Sequence, residues 1–234
     1  PMHTASPDIL DYEHFLHTLR ALSAKMYHAP ALHAALVKAW EEPHRVFHTK
    51  EHLRDCLFHL EQERWGGLIE GVNRARLALA LWFHDAVYDV RAADNEEKSA
   101  AWATQSLALL DVSSDNIDIV RHLILSTKPS YARTDSFLED WMHDIDLHIF
   151  GVHVPKFAQF TQDIRQEFAW VDDLNYRRGH DLVMRRLITN PHGIYRTEAG
   201  RLDYEETART NIELQLQGLS NLQLVLEVPN RAHL

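Results

Sequence analysis

The sequence predicts an all-α fold, built as a single compact helical bundle over residues 1–234. Apolar residues recur at helical spacing along most of the chain. The 234 residues include only 8 glycines, a small share that disfavours a turn-rich all-β fold. Residues 222–228 alternate apolar and polar side chains briefly, but one such segment cannot form a sheet by itself. We expect the core of the domain to span about 8–217 and a tail to follow over 219–234.

The clearest amphipathic helix begins after Thr49. Thr49 can cap its first turn, and Glu51 adds a favourable negative charge beside the positive end of the helix dipole. Apolar side chains then follow at i, i+3, i+4 and i+7, which places them on one face. These residues are Leu53, Cys56, Leu57 and Leu60.

The next helix, Arg74 to Phe83, is apolar on nearly all sides and is therefore expected in the middle of the core. The helix after it runs over about 96–110, because Asp94 and Asn95 can cap its start. Ser113 or Ser114 can cap a further helix over about 114–126.

Four later helices are bounded by glycine and proline. Gly151 ends one helix, Pro155 suits the first turn of the next, and Pro191 and Gly218 end the last two. The predicted ranges are about 135–149, 155–168, 172–189 and 203–217.

Composition excludes several classes of protein. The net charge of −10 disfavours nonspecific binding to nucleic acid or to anionic membranes. The single cysteine, Cys56, allows no intramolecular disulfide and is expected as a buried thiol. The longest strongly apolar run, Leu77 to Phe83, is far shorter than the ~20 residues of a membrane span. With no signal peptide at the start, we expect a soluble, cytoplasmic protein.

A His-Asp pair follows the most apolar helix. His84 and Asp85 have no Lys or Arg within six residues before or five after them. A carboxylate buried at that position costs several kcal/mol unless a positive charge pairs with it, and a metal cation would offset the cost. The alternative is a helix end that reaches solvent, with both side chains exposed.

Two other segments offer matching ligand types. His48 and His52 lie four residues apart, so they share one face if the helix includes both. Asp144 and Asp146 lie two apart and therefore point in different directions, so we expect only one to face an interior site. Two imidazoles and two carboxylates suit Mn²⁺, Fe²⁺, Co²⁺, Ni²⁺ or Zn²⁺. Chance histidine spacing and a solvated acidic helix face are the alternatives.

The order of these residues resembles the HD superfamily of metal-dependent phosphohydrolases, and in detail one bacterial subgroup of it. The resemblance covers about residues 8–217. Four short strings carry it: Arg45-x-Phe47-His48-x-x-x-His52, Trp82 to Asp89, Asn95-Glu96-x-x-Ser99-Ala100, and Asp144-x-Asp146-Leu147. The resemblance implies a helical HD-type domain.

The resemblance also implies roles for individual residues. The implied metal ligands are His52, His84, Asp85 and Asp146, with Asp144 as the alternative to Asp146. His48 is the implied proton donor to the leaving oxygen, and Asp89 the implied residue that helps to activate water. Tyr88 stands where two-metal phosphodiesterases carry a histidine, which favours a single divalent ion. Manganese is preferred, with iron, nickel, cobalt, zinc or magnesium as alternatives.

The predicted function is hydrolysis of a phosphate ester or anhydride in a nucleotide or similar small molecule. A phosphate needs positive partners, for which Arg45, Lys98, Lys128 and Arg177 are candidates. The alternatives are a phosphodiesterase acting on a cyclic nucleotide or short oligonucleotide, and a nucleotide-binding protein without catalysis. We expect no membrane partner and no stable complex with nucleic acid, and the sequence leaves the oligomeric state open.

Overall fold

The computed structural model describes residues 8–62 and 69–218, and the part it describes is all-α. These residues form ten α-helices and one short 3-10 helix, without a strand, so the predicted fold class is confirmed. The helices are α1 (Tyr12–Ala21), α2 (Ala29–Trp40), α3 (Lys50–Glu61), α4 (Gly71–Phe83), α5 (Asn95–Leu109), α6 (Ser114–Ser126), α7 (Phe137–Asp146), the 3-10 helix (Leu147–Gly151), α8 (Val154–Glu167), α9 (Asp173–Ile188) and α10 (Glu198–Leu216). The predicted tail, 219–234, lies outside the described residues.

The chain divides after Asp146 into two compact units, residues 1–146 and 147–234. The first contains α1 to α7, and the second contains the 3-10 helix and α8 to α10. The single domain and its HD-type architecture stay predictions. None of the described helices combines the length and the apolar character needed to cross a bilayer.

Helix α4 is the centre of the first unit. Every residue from Leu77 to Phe83 is buried, as the all-round apolar sequence predicts. The helix packs against α1, α3, α5, α6 and α7. Because α4 is surrounded in this way, the residues that follow Phe83 leave it in the interior of the unit.

Helix α3 packs its apolar face onto α4. The predicted stripe is buried together with His52, and the Thr49 side chain accepts a hydrogen bond from the Glu51 amide at 3.3 Å, as the capping prediction requires. The predicted helices begin with α3, so they include neither α1 nor α2. Helix α2 carries Trp40, whose indole Nε1 donates to the Trp82 carbonyl at 2.9 Å and so ties α2 to the end of α4.

The prediction of one helix over 135–149 is wrong, because α7 ends at Asp146 and a 3-10 helix follows. Side chains from later in the second unit bind its carbonyl groups. The Tyr195 hydroxyl donates to the Leu147 carbonyl at 3.0 Å, and the Asn211 amide donates to the Phe150 carbonyl at 2.9 Å. These long-range bonds satisfy carbonyls that a continuing α-helix would use itself.

The start of the last helix is also earlier than predicted. Helix α10 begins at Glu198, five residues before the predicted start at 203, and the Thr197 side chain caps it by accepting from the Gly200 amide at 2.9 Å. A capping threonine followed by an acidic residue is a sequence signal for a helix start, and Thr197 and Glu198 form such a pair, which the prediction did not use.

Candidate metal centre

Four side chains of the first unit come together where two helices end beside the buried face of a third. His52 lies on the buried face of α3, His84 and Asp85 follow the last residue of α4, and Asp146 is the last residue of α7. We call these four residues the donor cluster. Long-range packing brings them together, because the first and the last of them lie 94 positions apart in the chain.

The donor atoms of the cluster are close neighbours. The Nε2 atom of His84 lies 3.3 Å from His52 Nε2, 3.2 Å from Asp85 Oδ2 and 3.5 Å from Asp146 Oδ1. His52 Nε2 lies 3.3 Å from the same Asp146 oxygen. Neighbouring ligands of a tetrahedral or octahedral ion with bonds of roughly 2.1 Å lie about 3.0–3.4 Å apart. His52, His84 and Asp85 offer atoms that all lie within 4.8 Å of one another, so these three could hold a divalent ion. Asp146 lies beside both histidines.

The orientation of His84 is set by its other ring nitrogen. His84 Nδ1 lies 2.8 Å from the Leu81 carbonyl, which can only accept, so Nδ1 carries the hydrogen and donates. Nε2 is then the nitrogen that faces the cluster, and its lone pair can bind an ion once the ring has lost its second proton. Such a bond on the far nitrogen is how proteins fix the ring orientation of a metal-binding histidine.

Burial and the two carboxylates shift the proton affinities of both histidines. Burial lowers the pKa of His52, against the opposing effect of Asp146. Burial also disfavours protonation of His84, yet Asp85 and Asp146 outweigh it and raise the pKa of His84 well above its usual value. A proton on His84 is thus the counter-charge of the carboxylates in the metal-free protein.

The two carboxylates respond in the opposite direction. Burial alone would raise their pKa values, but His84 lowers the pKa of Asp85 to about 2. Hydrogen bonds from His52 and His84 likewise hold the pKa of Asp146 well below its usual value. Both carboxylates are therefore ionised at neutral pH, which is the form that binds metal.

The two aspartates near the end of α7 point in different directions, as their spacing predicts. Asp146 faces His52 and His84. Asp144 is fully buried, and its Oδ1 lies 2.9 Å from His143 Nδ1. The structure thus places Asp146, and not its alternative, beside His52 and His84.

Cys56 is buried, as predicted, and it adds a sulfur atom beside the cluster. Its Sγ lies 3.8 Å from His52 Nε2. His52, Cys56 and Asp146 form a second group of potential ligands whose atoms lie within 4.8 Å of one another. Cys56 stands four residues after His52 on the same face of α3, and this spacing is the sequence signal that could have indicated it as a ligand.

Arg45 lies at the site, but its guanidinium faces backbone groups. Its side chain is 0% exposed, and it donates to the carbonyls of His48, Asp85 and Ala86 at 2.8–3.1 Å. It also pairs with Glu42 at 3.0 Å. The structure therefore corrects the predicted phosphate-facing position, because the charge of Arg45 is already used to hold the His-Asp segment.

His48 borders the cluster. Its Nε2 lies 3.9 Å from Asp85 Oδ2, and its side chain is 20% exposed. The Tyr88 ring stacks on the imidazole with 4.3 Å between ring centres. His48 is thus held beside the donor cluster with an edge open to solvent.

The other predicted residues take different positions. Asp89 is exposed, and its Oδ1 accepts from the Arg91 amide at 2.9 Å, so its carboxylate stabilises a turn. Lys98 is exposed and pairs with Asp94 at 2.8 Å. Arg177 is exposed on α9 in the second unit. None of the contacts found among the described residues joins these three side chains to the donor cluster.

Lys128 and Glu96 belong to the surroundings of the cluster. Lys128 is half-buried, binds the Ala93 carbonyl at 2.9 Å and pairs with Glu97. Burial, and after it the charge of Asp85, raise the pKa of Glu96, while Lys128 acts in the opposite direction. Glu96 therefore lies within electrostatic range of both. Glu96 is not among the predicted site residues, although it is part of the Asn95-Glu96 string.

Comparisons of the chain with family models, with curated proteins and with solved structures find no match.

Proposed function

We propose that this protein is a metal-dependent phosphohydrolase with one divalent ion, preferably manganese, in the donor cluster. The observation that supports this is that His84 Nε2 lies 3.2–3.5 Å from a ring nitrogen of His52 and from one carboxylate oxygen each of Asp85 and Asp146, in a largely buried setting. The resemblance to HD phosphohydrolases supplies the substrate class, a phosphate ester or anhydride of a nucleotide or similar small molecule.

When bound, a divalent ion at such a site makes its bound water a stronger acid and takes up charge on a phosphoryl oxygen. The chain contributes the orientation of the ligands. The Leu81 carbonyl holds His84, while Arg45 holds the backbone of Asp85. In this proposal Arg45 is a positioning residue.

His48 is the proposed proton donor to the leaving oxygen. It lies beside Asp85 without being among the four closest donors, and its partial exposure allows contact with a substrate. Positioned proton transfer of this kind typically contributes about 10²–10⁴-fold in rate.

Lys128 is the proposed cation for the substrate phosphate. Its charge lowers the pKa of Glu96, whereas the charge of Asp85 raises it, so Lys128 and Asp85 both lie within electrostatic range of Glu96. Lys98 is exposed and pairs with Asp94, much as Lys128 pairs with Glu97, so it serves as the matched control. We expect Lys128→Met to raise KM at least about tenfold, the value of one charge-assisted hydrogen bond, and Lys98→Met to leave it unchanged.

Glu96 is a better candidate than Asp89 to act on water. Glu96 is half-buried near Asp85, whereas the Asp89 carboxylate is exposed and accepts from a backbone amide. Glu96→Gln is therefore expected to reduce kcat at least about tenfold, within the range of general base catalysis, with Asp89→Asn close to the parent. The reverse result would support the role that the sequence predicted for Asp89.

The decisive experiment measures bound metal and phosphate release on the same preparations. The parent should bind about one divalent ion per chain and release phosphate from some member of a nucleotide panel with added Mn²⁺. Asp85→Asn should lose the bound metal and the phosphate release. Asp118→Asn makes the same change at an exposed position on α6 and should keep the metal and the activity. His48→Gln should keep the metal and lose rate.

Other outcomes separate the alternatives. Cleavage confined to cyclic nucleotides or short oligonucleotides would favour the phosphodiesterase hypothesis. Nucleotide binding without turnover, for every divalent metal tried, would favour the binding protein. Full turnover by Asp85→Asn would refute the proposed site.

A further inference from the structure

Two polar side chains at the start of α5 hold the chain segment that follows the His-Asp pair. The Ser99 hydroxyl accepts a hydrogen bond from the Val87 amide at 3.1 Å and donates to the Val87 carbonyl at 3.4 Å. The Asn95 side chain accepts from the Asp89 amide at 3.1 Å and donates to the Asp89 carbonyl at 2.8 Å. The backbone on both sides of Tyr88 is therefore attached to α5.

The backbone of Tyr88 is also held from the opposite direction in the chain. His44 Nε2 lies 2.7 Å from the Tyr88 carbonyl, which can only accept, so this nitrogen donates. Tyr88 itself is half-buried. Its ring therefore stands on a backbone that hydrogen bonds fix at three consecutive residues.

The ring of Tyr88 is stacked on His48. The two ring centres are 4.3 Å apart and the ring planes differ by 30°, whereas the centres of the Phe47 and His52 rings lie 4.9 and 5.8 Å from that of His48. The Arg45 guanidinium carbon lies over the same tyrosine ring, 5.3 Å from its centre. His48 stands in the turn before α3, so its side chain depends on such contacts for its orientation.

We propose that Asn95 and Ser99 position the imidazole of His48 by way of Tyr88. The inference rests on the proposed function, in which His48 gives a proton to the leaving oxygen. That transfer requires the ring nitrogen within about 2.6–3.2 Å of the oxygen, so a small displacement of the ring slows it. Asn95, Ser99 and Tyr88 act through His48 and are therefore positioning residues.

The first test measures kcat with Mn²⁺ on a nucleotide that the parent hydrolyses. Tyr88→Leu removes the aromatic face and should lower kcat at least about tenfold, and Asn95→Ala should lower it about threefold. Tyr88→Phe keeps the ring and should keep most of the parent kcat. The control is Asn116→Ala, because Asn116 is also half-buried in the first turn of a helix and accepts from Arg76 at 2.8 Å. The control should leave kcat unchanged, and the Kd for Mn²⁺ should be the same in all four variants.

Combination with His48→Gln separates positioning from a general structural effect. If Tyr88 acts through His48, Tyr88→Leu should not slow His48→Gln any further. A reduction by the same factor in the parent and in His48→Gln would overturn the proposal. Circular dichroism checks that each variant is folded.

Nuclear magnetic resonance of the metal-free protein with isotope-labelled histidine measures the position of the ring without hydrolysis. The His48 signal is the one that His48→Gln removes. The face of Tyr88 should shift this signal upfield, and Tyr88→Leu, Asn95→Ala and Ser99→Ala should each move it back, whereas Asn116→Ala should not.

An unmoved His48 signal in Tyr88→Leu or in both α5 variants would overturn the proposal. If these shifts occur but no nucleotide is hydrolysed, the proposed function fails while the positioning of His48 by α5 is supported. The resonance experiment therefore decides the inference even when the hydrolysis experiment gives no rate.

Discussion

At the scale of single residues, the guanidinium of Arg45 links two separate segments of the site. It donates to the carbonyl of His48 before α3 and to the carbonyls of Asp85 and Ala86 after α4. Trp40 packs beneath it, with 5.3 Å from the guanidinium carbon to the ring centre. The position of the backbone at His48 and Asp85 thus depends on a residue outside the donor cluster.

Arg45→Met keeps most of the apolar stem but leaves these carbonyls without a donor. We expect the free energy of unfolding to fall by about 3 kcal/mol, and metal affinity to fall with it. Urea unfolding measures the first and metal titration the second. The control is Arg133→Met, because Arg133 is exposed and pairs with Asp140, and a loss below about 1 kcal/mol is expected there. Equal losses in the two variants would contradict the structural role of Arg45.

The proposed binding of metal by His84 should depend on pH. Burial opposes protonation of His84, but Asp85 and Asp146 favour it more strongly and raise its pKa well above the usual value. The ring is therefore protonated at neutral pH without metal. A metal ion must displace that proton, and we expect release of about one proton per ion at pH 7. Calorimetric titrations with Mn²⁺ in two buffers of different ionisation enthalpy measure it, and identical heats in the two would contradict the prediction.

The same raised pKa affects the stability of the metal-free protein. A group that binds its proton more tightly when folded stabilises the fold fully below its unfolded pKa, about 6.5 for histidine. That contribution is lost as the pH rises through the raised pKa of His84. Urea midpoints of the chelator-treated protein should therefore decline above about pH 6.5, and His84→Gln should remove this part of the decline.

At the scale of elements, two glycines in the second unit have different functions. Gly151 ends the 3-10 helix against α10, where an added Cβ would overlap the Cβ of Tyr204. Gly179 stands in the interior of α9 with open space beside it. Gly151 permits close packing of two helices, whereas Gly179 stands at an exposed position where no packing contact requires glycine.

Alanine at the two positions should have opposite effects. Gly151→Ala is expected to lower the free energy of unfolding by about 3 kcal/mol, because the backbone of α10 must move. Gly179→Ala is expected to raise it by about 1 kcal/mol through helix propensity alone. Thermal unfolding of both variants beside the parent measures the difference. A destabilising Gly179→Ala would show that the space beside α9 is filled in solution.

At the scale of the whole molecule, the donor cluster joins parts of the chain that are far apart in sequence. Residues from α3, from the end of α4 and from α7 all contribute an atom. An ion that binds these groups only in the folded state must stabilise the fold. Stability should therefore depend on the concentration of the metal.

Free Mn²⁺ at about 100 times its Kd should add about 2.7 kcal/mol of stability. For a chain of this length that corresponds to a rise of about 5–10 °C in Tm. Chelation should reverse the rise, Asp85→Asn should abolish it, and the Asp118→Asn control should retain it. An equal rise in Asp85→Asn would mean that the ion binds elsewhere.

The sequence by itself determined the helical class, the buried α4 and a short set of candidate ligands. Helical spacing, capping residues and the chemistry of His and Asp are local properties, so they can be recognised without coordinates. The same local signals failed at the end of α7, where Tyr195 and Asn211 bind the carbonyls of the 3-10 helix.

Only the tertiary structure decided which charged groups are near the site. It turned Asp146 toward His52 and Asp144 toward His143, and it directed Arg45 onto backbone carbonyls. It also placed Glu96 near Asp85 and left Asp89 at an exposed turn. The physical reason is that the surroundings of a charge depend on packing between elements distant in sequence, which no local pattern records.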